Sequence, residues 1–115
     1  MAYDPEAQAR INAVLNAWPS TAHKKMFGGV CTLLNGHMVC GLYKEYLILR
    51  LGVEQASDAL AQPHCRPFDI TGRPMRGWVM VAPEGFAEDA VLRAWLEKAR
   101  TFIETLPPKE GYGGK

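Results

Sequence analysis

Short apolar runs separated by two-residue polar breaks dominate the stretch from Lys24 to Leu51, the pattern of a three-stranded antiparallel meander. The first break is Asn35-Gly36, the strongest short-range signal for a tight hairpin. With a two-residue turn there, Leu34 lies opposite His37, Leu33 opposite Met38, Thr32 opposite Val39 and Cys31 opposite Cys40. Successive strand side chains point to opposite faces. Cys31, Leu33, Met38, Cys40 and Leu42 then share one face, and Thr32, Leu34, His37, Val39 and Tyr43 the other. A second reversal at Lys44-Glu45, poor chemistry for a primed turn, returns the chain through Tyr46 to Leu51. The simplest register adds Leu47, Leu49 and Leu51 to the first face and Tyr46, Ile48 and Arg50 to the second. The first face is almost wholly aliphatic and is expected to lie under helices. The second mixes aromatic rings with His and Arg.

Helical spacing brackets this sheet. Asp4 as N-cap and Pro5 at the first helical position open a helix, and Ile11, Val14, Leu15 and Trp18 form its apolar stripe before Pro19-Ser20 ends it. Gly52 breaks the third strand, and Val53 to Leu60 suits a short helix with Ala56, Ala59 and Leu60 inward. Gln62 to Pro67 reads as a loop. Phe68–Thr71 and Arg76–Val81 read as two more strands around the turn residues Gly72-Arg73-Pro74-Met75. Pro83 to Phe86 leads into a last helix whose seam is Val91, Ala94, Trp95, Ala99, Phe102, Ile103 and Leu106. Glu88 and Asp89 suit its positive N-terminus, Arg93 and Glu97 form a four-residue pair, and Pro107-Pro108 stops it. The expected fold is α+β, a two-layer sandwich of order α-β(3)-α-β(2)-α with helices on one face of an antiparallel sheet.

Composition narrows the class. At 115 residues, 48% hydrophobic, the chain fits one domain, expected over residues 1–108 with a flexible tail at 109–115. No apolar run approaches the roughly 20 residues of a membrane span, and the start MAYDPEAQARIN lacks the basic and apolar regions of a signal peptide. The expected compartment is the cytoplasm. A formal charge of +1 argues against strong non-specific nucleic-acid binding.

The segments Lys24-Lys25-Met26-Phe27-Gly28-Gly29-Val30, Asn35-Gly36-His37-Met38 and Tyr46–Leu51 look like the N-terminal domain of TfoX/Sxy proteins. Arg66–Met75, running into Gly77-Trp78-Val79, is similar to the same family. Within these, Met26, Phe27, Gly28, Gly29, Arg73, Pro74, Gly77 and Trp78 are the motif positions, with a structural part to play. The resemblance implies the α-β(3)-α-β(2)-α fold, related to the secretion-chaperone-like architecture. Two-domain members regulate competence for DNA uptake, acting with the cyclic-AMP receptor protein at promoters. They carry a second, C-terminal helical domain, and the chain is expected to be a stand-alone bacterial N-terminal domain without it. No catalytic residues carry over from that family.

The chemistry the residues offer is sparse. Cys31 and Cys40, if opposed at a non-hydrogen-bonded site, could close a cross-strand disulfide, or could pack as small hydrophobes. Cys65 sits beside His64 and Arg66 with no catalytic partner. No closely spaced ligand pair supports zinc, and no metal or cofactor is expected. Gly28-Gly29 precedes a strand and reads as a bulge or close backbone approach rather than a phosphate loop. Asp69, Arg73 and His64 are the one cluster with any catalytic potential, and the expectation is no enzyme. Arg50, Arg66, Arg73 and Arg76 are candidate anion or nucleic-acid contacts. Val39, Tyr43, Tyr46, Ile48, Arg50 and Trp78, with Met80, form a sheet face too apolar for simple solvation and rich in interface residue types. These features lead to the expectation of a regulatory or adaptor domain that works by protein association, including a homodimer. A nucleic-acid-binding regulator of competence type, using the arginine-rich face, is the alternative.

Overall fold

Asn35 and Gly36 take φ of 54° and 86°, the two positive angles of a type I′ turn, and the hairpin expected there forms. In a computed structural model that describes residues 5–18, 21–26, 29–69, 72 and 75–107, this hairpin is the centre of a larger antiparallel meander. Its strands are β1 (Thr21–Met26), β2 (Gly29–Leu34), β3 (His37–Tyr43) and β4 (Tyr46–Arg50). Helix α1 (Pro5–Leu15) precedes them. After β4 come α2 (Val53–Leu60), β5 (Cys65–Pro67), β6 (Trp78–Val81), a 3-10 turn (Pro83–Phe86) and α3 (Asp89–Glu104). The sheet has six strands in the order β1-β2-β3-β4-β6-β5, every neighbouring pair antiparallel. Helix α2 carries the chain past the place that β6 later fills.

The helical layer buries Ile11, Leu15, Leu92, Trp95, Leu96, Ala99 and Ile103 against Leu34, Val39, Leu42, Leu47, Leu49, Leu51, Val79 and Val81 of the sheet. This is the two-layer α+β sandwich. Arg10 fastens α1 to the 3-10 turn. Its Nη2 donates to the carbonyls of Phe86 (2.8 Å) and Ala87 (3.1 Å), and its Nε pairs with Asp89 at 3.0 Å. The Trp95 Nε1 donates to the Gly85 carbonyl at 2.9 Å, fixing α3 from the other side.

Four local expectations change. The sheet has one strand more than expected. Met26 and Gly29 are register partners, so the segment read as one strand entering the meander is a second hairpin. The polar run Thr21–Lys25 lacks apolar alternation because it forms an edge. The strand expected at Phe68–Thr71 lies instead at Cys65–Pro67, where Pro67 is tolerated because an edge strand needs no N–H on its open side. Leu60 is exposed rather than inward. In α3 the buried seam is Leu92, Trp95, Leu96, Ala99 and Ile103, with Val91 and Ala94 outside it. Helix α3 is apolar at so many adjacent positions that spacing alone allowed either stripe. Its ion pair at four-residue spacing is Arg100–Glu104, 3.1 Å. The expected N-cap Asp4 and the tail 109–115 lie outside the described residues.

Gly29 sits where two backbones meet. A Cβ built there would collide with the Leu42 carbonyl oxygen, so no side chain fits without parting β2 from β3. Gly29→Ala is expected to lower unfolding stability by about 1–3 kcal/mol, the usual cost of forcing extra volume into a packed site. Urea denaturation at fixed m-value measures it.

Candidate interaction surface

The pairing of β2 with β3 decides which side chains reach each face. It runs Leu34–His37 and Leu33–Met38, then slips by one residue, so that Thr32 faces Cys40 and Cys31 faces Gly41. Val39 is the extra residue of this bulge. Both Val39 and Cys40 are therefore buried in the helix-side core. Beyond the slip, β3 and β4 pair as expected, Leu42 with Leu47 and Tyr43 with Tyr46. The expected Cys31–Cys40 opposition does not exist, because the bulge sends the two thiols to opposite faces. Val39 likewise leaves the interaction face assigned to it.

The outer face holds Ile48, Met80 and Phe68 as a second buried cluster, with Met38, Tyr43, Tyr46 and Trp78 packed around them. Phe68 follows β5 and folds over this face, its ring 5.5 Å from that of Trp78 and tilted 32° to it. Ile48 is fully buried. The face therefore covers its own centre and leaves Met38 and the rims of Tyr43, Tyr46 and Trp78 partly open to solvent.

Arg50 and Arg66 do not converge. Arg50 stacks over Trp78 (5.5 Å) and Phe102 (5.7 Å). Arg66 lies over the Tyr46 ring at 5.7 Å. Arg66 faces Met80, Met80 faces Ile48, and Arg50 is two residues along, which sets the two about 12 Å apart by strand spacing. Arg73 lies outside the described residues, as do Phe27, Gly28 and Pro74 of the motif. His64 and Asp69 flank opposite ends of β5 and are separated by its length. Among the described residues no group of His, Cys, Asp and Glu is placed to hold a metal ion.

Burial pushes the Cys40 thiol up to about 12, against a smaller opposing effect of a hydrogen bond with Thr32. Burial also raises Cys31 and Cys65, with Lys24 and Lys98 respectively opposing it. All three thiols are held in the protonated, weakly nucleophilic form.

A surface feature missed in the sequence lies at the end of the sheet. Val53, Ala56, Ser57 and Leu60 of α2 form one wall of a groove of about 290 Å³, and Met75, Arg76, Gly77 and Trp78 the other, with Pro67 at its margin. Four large hydrophobic residues are notably exposed among the described residues: Val53 (51%), Leu60 (39%), Met75 (38%) and Val91 (41%). Three of the four line this groove. Helical spacing set Leu60 with the inward Ala56 and Ala59, and only the fold, which leaves Leu60 exposed and brings Met75 across from it, makes the groove visible.

The family model described as TfoX N-terminal domain matches residues 13–103, from the last turn of α1 to the end of α3. No protein of curated function matches the chain, and no solved structure does. No described helix is long and apolar enough to cross a membrane.

Two outcomes follow from the buried groups. Replacing Ile48 by Asp places an unpaired charge in a dry cluster, at a cost of several kcal/mol. Ile48→Ala is expected to cost about 2–5 kcal/mol. Circular dichroism of Ile48→Asp should show loss of the fold, so that substitution reports on folding rather than association. The Cys40 thiol keeps its proton in the folded state, whereas an unfolded thiol releases it near pH 8.5. Stability is then independent of this group below about pH 8.5 and falls by up to about 1.4 kcal/mol per pH unit as pH rises toward 12. The difference in pH slope between the wild type and Cys40→Ala, from urea titrations across that range, isolates the effect.

Proposed function

The chain belongs to the TfoX N-terminal domain family, and from that premise we propose that it is a non-catalytic regulatory or adaptor domain working by protein association. The observation that carries this reading is the groove at the sheet end, where Val53, Leu60 and Met75 expose apolar surface around one concavity. Folded domains seldom leave large apolar side chains clustered in solvent without a use for them. Trp78 and Arg76 beside them are of the residue types that anchor interfaces. The rims of Tyr43 and Tyr46 belong to the margin of such a surface, not to its centre.

Thiols held protonated by burial and the separation of His64 from Asp69 support the non-catalytic part of the reading. The nucleic-acid alternative has less to support it. Arg50 and Arg66 spend their guanidinium faces on the chain's own rings, and the charge of +1 supplies little long-range attraction for phosphate.

The test is recovery of the tagged protein from its host, with and without nuclease, followed by mass spectrometry of what accompanies it. The expected result is a protein companion, another copy of this chain included, that survives nuclease and is lost with Leu60→Asp. Recovery of nucleic acid whose binding weakens steeply with salt, with no protein retained after digestion, would overturn the reading.

A further inference from the structure

We propose that the groove between α2 and the 75–78 segment is the contact between two copies of this chain, related by a two-fold axis running along it. This rests on the association reading above and names the partner. The two walls differ in both shape and charge. The α2 wall carries Val53 and Leu60, and the same helix bears the exposed acids Glu54 and Asp58 outside the groove lining, turned away from its floor. The facing wall carries Met75 and the exposed base Arg76. Among the described residues Glu54, Asp58 and Arg76 form no ion pair within the chain.

A two-fold axis lying in the interface along the groove exchanges the walls. Each copy's α2 then meets the partner's 75–78 segment, as an isologous contact requires. Met75, a flexible side chain suited to irregular gaps, sets against the partner's Val53 and Leu60. Arg76 comes to the side of the partner's Glu54 and Asp58, and both relations occur twice in the dimer. An axis across the groove would instead set α2 against α2, acids against acids and Arg76 against Arg76, which like-charge repulsion disfavours. The surface is thus complementary to itself in one orientation only. A different protein would have to supply an apolar patch flanked by the same charges in reverse order. An isologous contact of exposed side chains forms by mass action, so the dimer is expected to grow with protein concentration.

Sedimentation velocity from low micromolar to near-millimolar protein tests this. The wild type should pass from monomer to dimer, and Leu60→Asp should stay monomeric. Arg76→Glu should weaken the dimer by about tenfold, because each substitution acts at two symmetric contacts. Adding Glu54→Lys and Asp58→Lys to Arg76→Glu should restore it. All these positions are exposed, so circular dichroism should be unchanged in every variant. A wild type that stays monomeric throughout, or a dimer indifferent to Arg76→Glu, overturns the proposal. The association reading fails separately: a different protein that survives nuclease and is lost with Leu60→Asp keeps that reading while removing the second copy as the occupant.

Discussion

The slip between Thr32 and Leu33, where Val39 enters β3 as an extra residue, governs the rest of the molecule. Side chains in a strand alternate with a period of two, so one added residue reverses the facing of everything on one side of it. Without the slip, Leu33, Met38 and Cys31 would enter the helix-side core together with Leu42 and Leu47, and Leu34 and Val39 would face out. With it, Leu34, Val39, Cys40 and Leu42 all lie under the helices. Met38 and Cys31 move to the far side instead, where a Cβ on Gly41 would stand 3.1 Å from each of their nearest atoms. Gly41 is the small residue that lets them share that space.

That reversal has a consequence for function. Placing Met38 on the outer face, next to Tyr43, Tyr46 and Ile48, makes it apolar enough to need cover, and Phe68 supplies it from the chain itself. A sheet buried on both faces has little surface left for contacts through its middle. The association proposed above would then use the sheet's ends or edges, and the groove between α2 and Gly77 is at an end.

Much of this was legible in the sequence, and the gaps have physical causes. The Asn35-Gly36 turn, the pairing of β3 with β4 and the helices were readable because each rests on local periodicity or on a turn that few residue pairs can make. Lys44 takes φ of 55° despite being poorly suited to it, because the pairing of Tyr43 with Tyr46 on either side holds the turn. The bulge was not readable, since no residue type marks it. An edge strand such as Thr21–Met26 has no apolar face to announce it. The groove was invisible for a different reason: Val53 and Met75 lie more than twenty positions apart, and each alone is an ordinary exposed apolar residue.

The two edges sharpen the case for a contact made by side chains. Open strands commonly recruit partners by adding another strand. Here β1 presents the exposed Lys24 and Lys25 along its edge, the kind of charge that discourages such pairing. The opposite edge, β5, is only three residues long and ends in Pro67, which has no N–H to offer a neighbouring strand. Both routes to backbone pairing are therefore obstructed by the chain's own residues. The proposed contact is carried instead by shape and charge where α2 faces the 75–78 segment. That is a form of contact a single charge reversal can weaken without touching the fold, because none of its charged residues contributes to the buried clusters.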